Sequence, residues 1–379
     1  MDFAAARLRH LFRRPTRSSS RGEPDPASAG AEIGGLGLGG EEADESAVLA
    51  STPPTEAAAA GTGPGRRDLY YTSSDGLRLH AVEYGDPGSP WLPVVCIPGL
   101  SRSARDFHDL AVHLSTDRLR PRRVLCFDLR GRGGSEWDTE VSRYTPLVEM
   151  QDVLDGMTAF DVGKAMVVGT SRGGIIAMLM AVARPSVMGG VVLNDIGPAI
   201  EPRGLARIKT YVGRTPAPDD WDDAVRILRR LHGTQFTALG EEEWVAFARM
   251  TWREEDGRPV SDYDPALART LDGVEFDRPM PSLWKEYGAL ASIPTLSIRG
   301  ENSDLLSAET VMRMAREHPG LERITVEGAG HAPLLIHVAM LERISAFFAA
   351  AEGEAPATAA RRDLPDFRLD APEGPVGPA

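Results

Sequence analysis

The residues best suited to chemistry gather around one serine. Gly169-Thr170-Ser171-Arg172-Gly173 is a G-x-S-x-G pentapeptide, with the apolar run Ala165-Met166-Val167-Val168 before it and a helical pattern from Arg172 to Val182 after it. A sharp turn from strand to helix brings backbones together and leaves no room for a Cβ on either side of the serine, which explains the two glycines. Ser171 then projects from the turn as a nucleophile. The helix that begins at Arg172 aims its positive dipole end at the place where oxyanion charge would develop.

A serine hydroxyl is a weak nucleophile at neutral pH and needs a general base, itself held by an acid. Among eight histidines, His331 lies in Glu327-Gly328-Ala329-Gly330-His331-Ala332-Pro333, just past the last predicted strand and before the last helix. That puts it at the same strand edge as Ser171. His337 follows on the helix and His10 lies near the N-terminus, while His80, His108, His113, His232 and His318 read as surface or packing residues. Two acids compete for the orienting role. Asp304, in Arg299-Gly300-Glu301-Asn302-Ser303-Asp304, is preferred, because Ser171, Asp304, His331 is the chain order of a nucleophile-elbow triad. Asp195, in Asn194-Asp195-Ile196-Gly197-Pro198, is the alternative acid, and otherwise shapes a bend at Gly197-Pro198. The oxyanion donors are expected to be the N–H groups of Arg172 and of Leu100, the latter in the loop Pro98-Gly99-Leu100-Ser101. The Arg172 side chain reads as one half of a structural ion pair rather than as a clamp for a substrate carboxylate.

These residues need a scaffold that brings them to one edge. An opening hairpin is predicted from Leu69–Thr72, a turn at Asp75-Gly76, and Leu77–Tyr84. Buried-type strands follow at Val94–Ile97, Val124–Phe127, Ala165–Val168, Val191–Leu193, Thr295–Ile298 and Ile324–Val326, with helical patterns between them. Continuous apolar strands imply a sheet covered on both faces, so the pattern predicts an α/β fold with a doubly wound, mostly parallel sheet. About 100 residues separate the strand ending near Leu193 from the one starting near Pro294, far more than a crossover needs. Helical patterns at Ala206–Val212, Trp221–Leu231, Glu241–Trp252 and Leu283–Leu290 make this an inserted helical lid over the strand ends. Its Trp221, Trp244, Trp252 and Trp284 read as the lid's own packing in preference to substrate contact.

The domain organisation follows: a disordered extension over 1–67, the two parts of the core at 68–195 and 293–352, the lid at 196–292, and a disordered tail at 353–379. The terminal segments are rich in Ala, Gly, Pro and acidic residues and cannot bury enough apolar area to order themselves. Within residues 1–21, six arginines face one acid, with Ala4, Leu8, Leu11 and Phe12 at helical spacing. That basic amphipathic pattern suits contact with an anionic membrane surface or an address signal, and a plain solvated tail is the other reading.

The 379-residue chain carries 42 Lys and Arg against 55 Asp and Glu, a net charge of −13, which argues against nucleic acid as a partner. No run of 18 apolar residues is present to span a bilayer. A cytoplasmic protein is expected. Cys96 and Cys126 show no disulfide or metal spacing and read as buried thiols.

The segment between the tails resembles the α/β-hydrolase superfamily over about 280 residues. Four places carry the likeness: Pro98-Gly99-Leu100, Asp128-Leu129-Arg130-Gly131-Arg132-Gly133-Gly134-Ser135, Gly169–Gly173, and Asp304 with Gly330-His331. The resemblance implies about eight strands, no metal and no cofactor. It also implies that Asp128 and Arg130 brace the loops of the active site. Where many members have His-Gly, this chain has Pro98-Gly99, so the hydrogen bonds of that histidine must come from elsewhere. Serine at 171 disfavours the epoxide hydrolase and haloalkane dehalogenase branches, which use aspartate. The expected function is hydrolysis of a small to medium carboxylic ester or lactone by Ser171, His331 and Asp304. Cleavage of a carbon–carbon bond, as in the meta-cleavage-product hydrolases, and a non-catalytic ligand-binding module on the same fold are the alternatives.

Overall fold

The computed structural model describes residues 65–274 and 280–353. The extension before residue 65, with its basic segment over 1–21, and the tail after 353 lie outside the described residues.

Eight strands form the main sheet: β1 (Arg67–Thr72), β2 (Arg78–Tyr84), β3 (Val94–Ile97), β4 (Val124–Asp128), β5 (Ala165–Thr170), β6 (Met188–Asn194), β9 (Thr295–Gly300) and β10 (Glu322–Val326), in the order β1-β2-β4-β3-β5-β6-β9-β10. β2 pairs antiparallel with both its neighbours, and every later pairing is parallel. The central strands are apolar until their last residues, where Asp128, Thr170 and Asn194 stand, because both faces are covered. Ile97, Phe127, Val167 and Leu193 face one core, and Cys96, Cys126, Val168 and Val192 face the other. The predicted doubly wound sheet is therefore present, and both cysteines are buried and free.

Helices α1 (His108–Ser115), α2 (Pro146–Ala159), α3 (Arg172–Ala183), α8 (Ala308–Glu317) and α9 (Val338–Ala351) alternate with the strands. α3 leads out of the turn at Ser171 and is apolar nearly all round, which fits a helix buried among its neighbours. None of the described helices is long and apolar enough to cross a membrane.

The insertion between β6 and β9 holds α4 (Pro202–Tyr211), α5 (Trp221–His232), α6 (Glu241–Thr251) and the short α7 (Trp284–Gly288). α5 shows why these helices form where they do. Asp220 accepts a hydrogen bond from Asp223 N at its start, acids fill its first turn, and Arg229, Arg230 and His232 fill its last. The insertion is not wholly helical. A two-stranded antiparallel ribbon, β7 (Trp252–Glu255) and β8 (Arg258–Ser261), follows α6, turning at Asp256-Gly257, both with positive φ. Asp-Gly between two short runs is the usual signature of such a turn.

After the ribbon, the chain is stitched to the loop that follows β4. Gly133 N donates to Asp262 O at 2.9 Å and Asp264 N to Gly131 O at 2.8 Å. Tyr144 OH reaches Asp264 Oδ2 at 2.7 Å, and Arg105 pairs with Asp262.

That same loop is folded around Asp128 and Arg130. Asp128 accepts from Ala104 N at 2.6 Å and Gly134 N at 2.9 Å, and meets His80 Nδ1 at 2.7 Å, while His80 Nε2 reaches Asp68 at 3.2 Å. Arg130 is buried among Asp152, Asp138 and Asp75. Burial opposes charge on His80, but the hydrogen bond to Asp128 and the charges of Asp128 and Asp68 outweigh it and raise its pKa above the usual 6.5. Stability from this group is therefore complete below about pH 6.5 and is lost as pH rises through the folded value. The Tm gap between wild type and His80→Gln is expected to shrink between pH 6 and pH 9. A gap that stays flat or widens would show that the ring acts only as a neutral spacer.

Candidate active site

Ser171 sits between β5 and α3 with φ +52° and ψ −114°, a conformation that L-residues rarely adopt. The turn holds because both flanking glycines allow close backbone approach. A Cβ at Gly169 would overlap the Gly173 carbonyl, and one at Gly173 would overlap the Ile97 carbonyl at the end of β3. Ser171 N donates to Asn194 O at 3.0 Å, which fastens the turn to β6.

His331 arrives on the loop after β10. Its Nε2 lies 2.8 Å from Ser171 Oγ, and its Nδ1 lies 2.7 Å from Asp195 Oδ2. The predicted serine and histidine are thus brought together, but the acid beside the imidazole is Asp195 and not the preferred Asp304. Asp195 has no exposure to water, and its carboxylate is filled with donors: Gly300 N reaches Oδ1 at 2.8 Å, and Ser303 Oγ reaches Oδ2 at 2.6 Å.

Asp304 is turned away to Arg207, which holds it through two hydrogen bonds, Nε to Oδ2 at 2.7 Å and Nη2 to Oδ1 at 3.0 Å. Burial would raise the Asp304 carboxyl, but the Arg207 hydrogen bonds and charge outweigh this and hold it below its usual value. The preference failed for a geometric reason. β6 and β9 are adjacent, so an acid just past either strand ends near His331, and both acids lie between Ser171 and His331 in the chain.

The two loops expected to supply oxyanion donors are linked through one buried carboxylate. Glu149 on α2 accepts from Arg132 Nη1 at 2.7 Å and from Arg172 Nε at 2.5 Å. Arg172 Nη2 also reaches Tyr144 O at 2.8 Å, and Arg132 Nε donates to Leu100 O at 2.8 Å. The Arg172 side chain is therefore engaged in a structural ion pair. Arg132 also holds the carbonyl of the Pro98-Gly99-Leu100 loop, a tie made although residue 98 is proline and not histidine. The N–H of Arg172 lies in the first turn of α3, where helical N–H groups have no partner within the helix.

Ser171 and His331 open into a cavity of about 280 Å³. Its walls are mostly apolar, with Phe107 and Leu335 from the core and Ile208, Leu228, Phe247 and Trp252 from the insertion. Trp252, which the sequence favours as lid packing over substrate contact, is both buried and part of this wall. Three polar wall residues were also missed: Arg102, Tyr211 and His232. The signal for Arg102 was its place three residues past Gly99. His232 gave none, since a histidine at a helix end is ordinary. Burial, then the charges of Arg207 and Arg102, push its pKa down to about 3, so the ring is neutral.

An open sheet with a serine on the turn after β5, a histidine after the last strand and an acid after a neighbouring strand is the arrangement of the α/β-hydrolase fold. The profile of the alpha/beta hydrolase family matches residues 94–350, and the chain belongs to that family. It is similar to the 3-hydroxybutyrate-oligomer hydrolase of Cupriavidus necator, 31% identical over 286 residues that cover 72% of this chain and 94% of that one. The 2-(acetamidomethylene)succinate hydrolase of Mesorhizobium japonicum is 26% identical over 62% of this chain and 79% of that one. Among solved structures, an alpha/beta hydrolase from Novosphingobium aromaticivorans is 37% identical, with a TM-score of 0.68, and the match covers 76% of this chain and 99% of that one. The chain is a hydrolase of this fold.

The Glu149 arrangement has a measurable consequence. Glu149→Gln leaves two buried guanidinium groups without their shared counter-charge, a loss expected to cost about 3–5 kcal/mol in stability. Urea unfolding of the variant beside wild type measures it, and a difference under about 1 kcal/mol would show the pair is dispensable.

Proposed function

We propose that this protein hydrolyses a carboxylic ester by acyl transfer through Ser171. The observation that carries this reading is the hydrogen-bonded relay from Ser171 Oγ through His331 to Asp195, at the floor of a largely apolar cavity. Ser171 Oγ attacks the ester carbonyl as His331 Nε2 takes its proton. Asp195 holds Nδ1 and steadies the imidazolium that forms. The N–H groups of Leu100 and Arg172 receive the oxyanion, where loss of one donor typically costs about 10²–10³ in turnover. His331 then returns the proton to the leaving alcohol. Water, deprotonated by the same imidazole, attacks the acyl-enzyme and releases the acid and the free serine.

The insertion serves as the lid, since its side chains form much of the cavity wall. A cavity of about 280 Å³ suits a small to medium ester. The similarity to a 3-hydroxybutyrate-oligomer hydrolase, which extends over 94% of that protein, supports ester-linked hydroxy-acid oligomers as the class to try first.

Fluorophosphonate labelling of wild type and not of Ser171→Ala is the direct test. Ser171→Ala is expected to lower turnover by on the order of 10⁶ with the fold intact, and retention of a tenth of the activity would remove the nucleophile assignment. Asp195→Asn is expected to cost about 10⁴ by fixing the wrong imidazole tautomer, and Asp304→Asn far less. Steady-state kinetics on one ester rank the two, and the reverse ranking would return the role to Asp304.

A further inference from the structure

The cavity carries polar groups that acyl transfer leaves unused. Arg102 leaves the backbone right beside the nucleophile: a Cβ on Gly99 would stand 3.3 Å from Arg102 Cγ and 3.7 Å from Ser171 Cβ. Asp106, itself at the cavity, occupies one edge of this guanidinium, at 2.8 Å from Nε and 2.5 Å from Nη2. Nη1 gives one hydrogen to Thr251 Oγ1 at 2.6 Å and keeps a second.

Arg207 approaches from α4 in the same fashion. Asp304 takes Nε and Nη2, while Nη1 is buried with no hydrogen-bond partner. Its guanidinium carbon lies 5.9 Å from the centroid of the Tyr211 ring. Tyr211 and His232 both face the cavity with ring centroids 5.3 Å apart, and His232 Nδ1 is likewise buried and unpartnered. Buried polar atoms are ordinarily paired, so the unpartnered Nδ1 of His232, a residue of the cavity wall, is open to a partner from a ligand, with Arg207 set behind that wall beside Tyr211. Each arginine is paired with an aspartate, Arg102 with Asp106 and Arg207 with Asp304, and each keeps a donor that its aspartate does not take.

We propose that this wall is a subsite for a carboxylate of the substrate, contacted by Arg102, Tyr211 and His232 and backed by the charge of Arg207. The inference rests on the ester hydrolase reading and narrows it: the preferred ester carries a free acid group. A carboxylate offers about four acceptor positions, and hydrogen bonds from charged or strongly polarised donors are the strong ones. The apolar remainder of the cavity would take the hydrocarbon part.

The test separates the subsite from the chemistry. The full chain as Ser171→Ala is titrated calorimetrically with the linear dimer of 3-hydroxybutyrate as free acid, and with the methyl ester of the same dimer. The free acid is expected to bind at least tenfold more tightly. Arg102→Gln and Arg207→Gln, each added to Ser171→Ala, are expected to bring that ratio below threefold. Equal affinity, tighter binding of the methyl ester, or no binding of either overturns the subsite. A preference that survives both arginine changes in folded variants overturns its assignment to this wall. If neither arginine variant folds, Tyr211→Phe in the same background must at least halve the preference, and an unchanged ratio counts against the wall. Wild-type labelling by fluorophosphonate with equal dimer affinities would end the subsite alone, whereas an acid preference without labelling would end the hydrolase reading alone.

Discussion

The carboxylate of Asp195 is closed off from water at the end of β6, and its two oxygens are shared among a backbone amide on β9, the Ser303 hydroxyl and the His331 ring. A buried acid is tolerated only when its lone pairs are satisfied, so these donors and the acid specify one another's positions. Its own backbone N–H donates to Ile298 O at 2.7 Å. One residue thereby ties the strand beside Ser171, the loop after β9 and the loop that bears His331. Its φ of +54° is the backbone cost of that position. The close approach of Gly300 to Gly330 completes the junction, since a Cβ at Gly300 would meet the Gly330 carbonyl at 2.5 Å.

A second buried carboxylate does similar work on the opposite side of the serine. Glu149 has no solvent exposure and is enclosed by Arg132 and Arg172, one reaching the loop after β3 and the other beginning α3. Burial raises the pKa of such a group, but the two guanidinium charges and their hydrogen bonds more than offset it, and the Glu149 carboxyl stays below its usual value. The tie to Leu100 is made by an arginine from a distant loop where many members of the family have a local histidine. Rigid support of donor loops matters because displacement by even 1 Å at a reacting centre is costly.

Much of this was legible before any coordinates. The inner strands of the main sheet announced themselves because both faces are buried, which writes a nearly continuous apolar run. Ser171 was marked by glycines that steric crowding demands, and His331 by its place after the last strand. The acid was harder to read. Asp195 and Asp304 follow neighbouring strands and keep the same chain order, and what separates them is Arg207, brought up to Asp304 by a helix of the insertion. Gly204 seals that contact, since a Cβ there would meet the Asp304 carbonyl at 2.6 Å. The ribbon of β7 and β8 was missed although Asp256-Gly257 signals it, because its outward residues Arg253, Glu254 and Glu255 lack the apolar alternation of a buried strand. The polar wall groups escaped notice because each is unremarkable in sequence, and only the meeting of α4, α5 and the loop after β3 makes them neighbours.

The stitching of the segment 262–264 to the loop after β4 is one of two borders that hold the insertion in place. Backbone hydrogen bonds at both Gly131 and Gly133, with side-chain ties to Tyr144 and Arg105, pin the insertion along that border. The border toward the loops after β9 and β10 is fastened as well: Glu201 N donates to Leu305 O at 2.9 Å, Thr237 N to Gly328 O at 2.9 Å and Asn302 Nδ2 to Gln235 O at 2.9 Å, beside the Arg207–Asp304 pair. The insertion is therefore bolted down along two borders, in the manner of a panel fixed to two posts, and the cavity lies between rows of fastenings that belong to different parts of the sheet.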